Sequence, residues 1–256
     1  NLPHALPHRF GKFFENYYDS PKRGVEGKNY RVSEGSMLKK FVCLAKSARE
    51  GGFCIAGKEI LANGGIGNWF RPIGSSEEAL PIADCTFNIG NVVACEVSNH
   101  APSPTQPENY KVALRPNWQV HGVFPKQNIN LLVDSPLSLW STGFNCSSRH
   151  GMNDRVSLNT LYRVNNSLYF IRIAGGTVIK KDQSDEERQN TKIRLAFSYK
   201  NKDYSLVVTD PAFTDYYWNT LKLGESTEIG SCYLTISLGK PFNNYCYKLV
   251  AGHVSI

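Results

Sequence analysis

Lys46, Ser47 and Arg49 sit together in "CLAKSAREGGFCIAGKEI" (43–60), just ahead of a glycine pair. Cationic side chains beside a hydroxyl and two glycines can hold a phosphate, with the hydroxyl and freed backbone N–H groups donating to its oxygens. The spacing is not GxxxxGK[ST], so this is no P-loop; the plain alternative is a solvated hairpin turn. In "NWFRPIG" (68–74) Trp69 and Arg71 are two apart. The ring suits stacking on a base while the guanidinium holds a phosphate. Equally, the tryptophan fills one end of a barrel and the arginine satisfies nearby carbonyls.

"SSRHGMNDRVSL" (147–158) gathers His150, Asn153, Asp154 and Arg155 around one glycine. A polar binding site is one reading, and a His–carboxylate acid–base pair is another. No nucleophile stands beside them, and an Asp154–Arg155 ion pair inside a tight turn explains the same residues. "SLGKPFNNYCYKLV" (237–250) brings Tyr245, Tyr247 and Lys248 to a strand, the stacking-plus-charge surface of a single-strand binder or the wall of an ordinary barrel. "VVTDPAF" (207–213) ends a strand in Thr-Asp-Pro, where Asp210 suits a helix cap better than a metal. No HxH or HExxH occurs among the six histidines, and neither a metal nor a cofactor is expected.

The elements that position these residues are almost all strands. "LKKFVCLAKS", "GGFCIAGKEI", "NVVACEVSN", "SLYFIRIAGGTVIK", "SCYLTISLG" and "NYCYKLVAGHVSI" are short runs rich in Val, Ile, Phe and Tyr, separated by Gly, Asn, Asp and Pro. Ile193, Leu195, Phe197 and Tyr199 alternate with Lys192, Arg194, Ala196 and Ser198, and "KNKD" then turns the chain into a second strand. That pattern predicts an antiparallel hairpin with the first set buried. "AFTDYYWNTLKLG" is the best helix, with Asp210 to cap it and Pro211 in its first turn, and "EEALPIAD" carries one turn more. Strands this short favour small closed Greek-key barrels, because closure removes exposed edges.

The expected architecture is therefore mainly β, with two packed barrels at 37–135 and 136–256 and an appended segment at 1–36. Gly35-Ser36-Met37 reads like the junction of two joined coding segments, which makes the leading segment a fused peptide or linker. Its "HRFGKFFENYY" carries Phe10, Phe13, Phe14 and Tyr17 near helical spacing. Seven cysteines without a CxxC pair argue for reduced thiols in a cytoplasmic protein. No apolar run reaches the roughly 18 residues of a membrane span, so no membrane partner is expected. The formal charge of +7 favours an anionic partner.

The order and spacing of "KFVCLAKS…GGFCIAGKEI", "NWFRPI", "GMNDRV", "SLYFIRI", "RLAFSYKNKDYSLVVTDP" and "YLTISLGKPFNNYCYKLVAGHV" resemble the bacterial dual OB-containing domain over roughly 38 to 254. The resemblance implies two OB-type barrels in one unit and a nucleic acid or nucleotide as ligand. Carried over residue by residue, it marks Lys46, Ser47, Trp69, Arg71, Asn153, Asp154, Arg155, Asp210, Tyr247 and Lys248 as positions beyond the core. The first functional expectation is thus a non-catalytic module for single-stranded nucleic acid or a nucleotide-like ligand. Lys46, Arg71 and Lys248 would hold phosphates, and Trp69 and Tyr247 would stack bases in one shared outer cleft. The competing expectations are a protein-interaction module that docks residues 1–36, within a bacterial defence or modification system, and a nucleotide-acting enzyme centred on His150.

Overall fold

In the computed structural model, residues 36–49, 51–74, 79–112, 117–161, 164–183 and 190–256 are described. The run "FVCLA" is continuous rather than alternating because β1 (Met37–Arg49) is buried on both faces. Phe41 and Cys43 point into the first barrel's core, where Phe41 lies 5.0 Å from Phe70 between ring centroids. Val42 and Leu44 point the other way, into a second cluster shared with the other barrel.

β1 pairs antiparallel with both β2 (Gly52–Ile60) and β4 (Asn91–His100). β3 (Ile66–Ile73) pairs with β2 and, in parallel, with β5 (Asn109–Val112), which returns to β4. The order β1-β2-β3-β5-β4 therefore closes on itself, and β6 (Gln119–Val123) extends it from β4.

The second barrel repeats that order with two of its walls broken. After β7 (Arg155–Ser157) come β8 (Leu168–Ile173) and β9 (Gly176–Asp182), a single wall interrupted at Ala174-Gly175. β10 (Thr191–Tyr199) and β11 (Lys202–Val208) follow, then the helix α1 (Pro211–Thr220). The fourth wall is β12 (Ser226–Ile229) plus β13 (Cys232–Leu238), and β14 (Tyr245–Ser255) is the fifth. One unbroken register, from Ser226 opposite Ile179 to Ser237 opposite Leu168, joins the fourth wall to the first. β11 runs parallel to β14, as β3 does to β5.

The predicted hairpin is β10–β11. Its two-residue turn, Lys200-Asn201, has φ of 49° and 60°, both positive as a type I′ turn requires. Ile193, Leu195, Phe197 and Tyr199 are buried as expected, but so is Arg194, at 2% exposure. α1 begins as predicted: the Asp210 carboxylate accepts from the backbone N–H of Ala212 and Phe213, and Pro211 opens the helix. Phe213 and Tyr217 seal the second core. The other expected turn is a short 3-10 helix at Ile82–Asp84.

The two barrels meet along β1 and β14. The Ala48 N–H donates to the Thr209 carbonyl at 2.8 Å, and the Thr235 hydroxyl donates to the Leu44 carbonyl. A β-carbon at Gly252 would lie 2.1 Å from that Leu44 oxygen, so β14 reaches β1 only as glycine. Among the described residues, no helix is long and apolar enough to cross a membrane. Apart from Ser36, the leading segment expected to be an appendage lies outside the described residues.

Candidate ligand-binding cleft

The expected outer cleft is not assembled from the residues first proposed for it, and burial is the reason. Trp69 and Arg71 share the outward face of β3, but that face is the barrel junction, and they are 5% and 6% exposed. The Trp69 indole N–H donates to Asp134 Oδ2 at 3.0 Å, and Lys58 Nζ donates to Asp134 Oδ1 at 2.6 Å. Lys46 Nζ is spent on the Cys85 and Phe87 carbonyls, at 2.7 and 2.8 Å. Lys248 faces inward beneath β14, where its ammonium donates to the Ser141 carbonyl at 2.7 Å and burial lowers its pKa to about 8. Lys46 and Lys248 thus hold carbonyls, and Trp69 holds the junction, where phosphate and base contacts were expected.

The "SSRHGMNDRV" motif is likewise a turn whose polar groups are taken up by the protein itself. Asn153 adopts φ 47°, accepts from the Gly143 N–H at 2.9 Å and donates to the Asp203 carbonyl at 2.8 Å. Asp154, 2% exposed, accepts from the Ser148 N–H and hydroxyl and pairs with Arg194 at 3.0 Å. Its carboxylate is therefore paired with Arg194, where an ion pair with Arg155 was expected, and is not presented to His150. Asp210 caps α1 and also accepts from the His253 N–H at 2.9 Å; burial raises its pKa to about 6.

Ser47 and Arg71 do converge, at a cleft of about 250 Å³ between the end of β1 and the β13–β14 hairpin. Arg49, Gln106, Thr209, Ser237 and Lys240 complete its polar lining, and no carboxylate lines it among the described residues. At its floor Arg71 is held from behind. Its Nε donates to Glu108 Oε1 at 3.1 Å and its Nη2 to the Ser167 hydroxyl at 2.7 Å, with Ser237 Oγ 3.4 Å away. Glu108 also accepts from the Ser167 N–H and hydroxyl. The Ser47 hydroxyl donates to Thr209 Oγ1 across the junction at 2.8 Å.

Past Gln106 and Lys240 the cleft continues into a shallower depression of about 520 Å³, bounded by Ser103, Leu158, Leu161 and Pro241. Beside it, β7 pairs with the start of β14, which sets Arg155 opposite Tyr247 and Ser157 opposite Tyr245. The Arg155 guanidinium lies 4.0 Å above the Tyr245 ring, and its buried Nε–H has no acceptor. Phe242 stands out of the adjoining hairpin at 63% exposure. Arg155 and Tyr247, expected at one site, are thus brought together. Lys248 follows Tyr247 in sequence and therefore points to the other face.

Residues 39–253 match the family model for the dual OB-containing domain. The chain belongs to that family. No curated protein matches it. Among solved structures it is similar to a tetrameric p202 HIN2, with 11% identity, 92% of this chain and 100% of that one covered, and a TM-score of 0.32. It is also similar to a murine DNA binding protein bound with double-stranded DNA, with 8% identity, coverage of 86% and 99%, and a TM-score of 0.30. At such scores no ligand is carried over from either.

OB barrels generally bind ligands on the face of their second and third strands and on the loops after the first and fourth. In this dual OB-containing domain both of those faces are covered. On the first barrel Trp69, Lys58 and Arg71 are packed into the junction. On the second, the 141–154 segment lies over β10 and β11 through Met152–Ser205 backbone bonds and the Asp154–Arg194 pair. The loops after the fourth strands, 101–108 and 239–244, flank the depression. Gln106 was hidden from sequence reading in a proline-rich stretch, and only the turn residues around it hinted at an ordered loop.

Proposed function

We propose that this dual OB-containing domain binds single-stranded nucleic acid or a nucleotide-like ligand in the inter-barrel cleft, without catalysing a reaction. The observation that carries this reading is the lining itself: Arg49, Arg71 and Lys240, with no carboxylate among the described lining residues. Arg49 and Lys240 are exposed and suit phosphates at the mouth, while Arg71, oriented by Glu108, presents an edge from the floor. Tyr245 and Tyr247, with Arg155 stacked above, suit the bases. The reading takes 37–135 and 136–256 as the barrel domains and 1–36 as an appended segment. The seven unpaired thiols suit a reducing, cytoplasmic setting.

Fluorescence anisotropy with labelled oligonucleotides at two salt concentrations tests it. With about three phosphates neutralised, the logarithm of the binding constant falls with that of salt at a slope near −2. Arg49→Ala weakens binding and makes that slope shallower by about 0.7. Absence of binding at low salt overturns the proposal.

A further inference from the structure

Resting on that reading, we infer that the ligand is a single strand two to four nucleotides long at the least, laid along β14, and not a mononucleotide. Two independent features share one face of that strand. Tyr245, Tyr247 and Leu249 alternate outward with the buried Cys246, Lys248 and Val250. Leu249 lines the cationic cleft, opposite Ser237 and beside Gly239, whose N–H donates to the Tyr247 carbonyl. Tyr245, at the other end of the run, carries the Arg155 stack.

Four residues of strand separate Leu249 from Tyr245, or about 13 Å at the usual rise. A stacked nucleic-acid strand advances about 3.4 Å per nucleotide, so four nucleotides cover that length, and fewer do when the strand is extended. The phosphate and base of a single nucleotide are separated by one sugar and do not reach from cleft to stack. The depression that shares Gln106 and Lys240 with the cleft also contains Leu158, next to Ser157, the partner of Tyr245, so among the described residues it lies between the cleft and the stack. Its sides are the two loops that follow the fourth strands, so both barrels contact one strand.

The experiment is competition by thymidylate oligomers of one, two, four and eight nucleotides against a labelled octamer on the full chain. The expected result is a steep gain in affinity between one and four nucleotides and a plateau beyond. Tyr245→Ala weakens the tetramer and octamer about five- to a hundredfold. Tyr245→Phe keeps the ring and the affinity. Phe242→Ala, at an exposed position, gives a second reading of the same end should the Tyr245 change disturb folding. A mononucleotide that competes as well as the octamer, or octamer binding indifferent to all three changes, overturns this inference while the cleft reading stands. Failure of every length to bind overturns the cleft reading and this inference with it.

Discussion

Glu108→Gln perturbs the ion pair beneath the cleft while keeping the side chain's shape. The Arg71 and Glu108 side chains are 7% and 4% exposed, so their pairing belongs to the buried regime. Exposed pairs contribute about 0–1 kcal/mol, whereas removing one partner of a buried pair costs about 3–5 kcal/mol because a charge is left uncompensated. After the change Arg71 keeps only neutral partners, the Ser167 and Ser237 hydroxyls. The Ser167 N–H and O–H also lose a charged acceptor in a residue that is fully buried, which places the cost toward the upper end. For a chain of 256 residues this corresponds to a fall in Tm of roughly 6–20 °C.

Arg71→Met leaves Glu108 charged but still served by Ser167, and costs about as much. Arg71→Met with Glu108→Leu removes both charges and costs less than either single change, since well-packed apolar replacements of buried pairs are close to neutral. Urea unfolding followed by tryptophan fluorescence reads all three, with an unchanged m-value as the check that only stability moved. Single costs below about 1 kcal/mol that simply add in the double variant would refute the reasoning. Because Arg71 also floors the cleft, the double variant is the one in which loss of oligonucleotide binding can be assigned to Arg71 rather than to unfolding.

The remaining predictions concern the same junction and the helix cap. Burial lifts Asp210 to about 6 and drops His253 to about 4, against ordinary values near 3.9 and 6.5. In that window the native carboxyl keeps a proton the unfolded chain has lost, and the native imidazole lacks one the unfolded chain keeps. The two slopes oppose, each worth about 3 kcal/mol. The contributions of these two groups thus nearly cancel from pH 4 to 6. Asp210→Asn unmasks a rise with pH and His253→Gln a fall, and slopes of the same sign in urea titrations would refute this. Gly252→Ala drives a methyl against the Leu44 carbonyl oxygen and lowers stability by several kcal/mol, at the high end for one substitution; a change under about 1 kcal/mol shows that the strands part easily. Asp134→Ala orphans Lys58 Nζ, the Trp69 indole and the Phe170 N–H together and costs about 3–5 kcal/mol by thermal unfolding.

Periodicity made the β10–β11 hairpin legible, because side-chain alternation and turn chemistry are both local. It could not place Arg194, whose partner Asp154 lies 40 residues away and turns a nominally open face into a buried one. "FVCLA" marked a strand, and no local pattern said that both of its faces are covered. Trp69 and Arg71, two residues apart, share a face of their strand, but no local pattern reveals that a neighbouring barrel occupies it. The cleft was the least legible feature, since it draws on residues 47–49, 71, 106 and 237–240, which only the fold brings together.

The cations themselves separate into two kinds, and the difference is physical rather than positional. Lys58, Arg71 and Arg194 each lie within about 3 Å of a carboxylate on another segment, as burying a charge demands. Such pairs balance internally, and those of Lys58 and Arg194 lie away from the cleft. Arg49 and Lys240 are exposed at the mouth of a cleft whose described lining holds no carboxylate. Arg71 belongs to both groups, because the pair with Glu108 fixes its orientation and one edge still faces the cleft. A cation preorganised in this way loses little entropy when it meets a ligand. The Arg71–Glu108 pair, which reaches the second barrel through Ser167 and Ser237, is on this account also what aims the floor of the binding site.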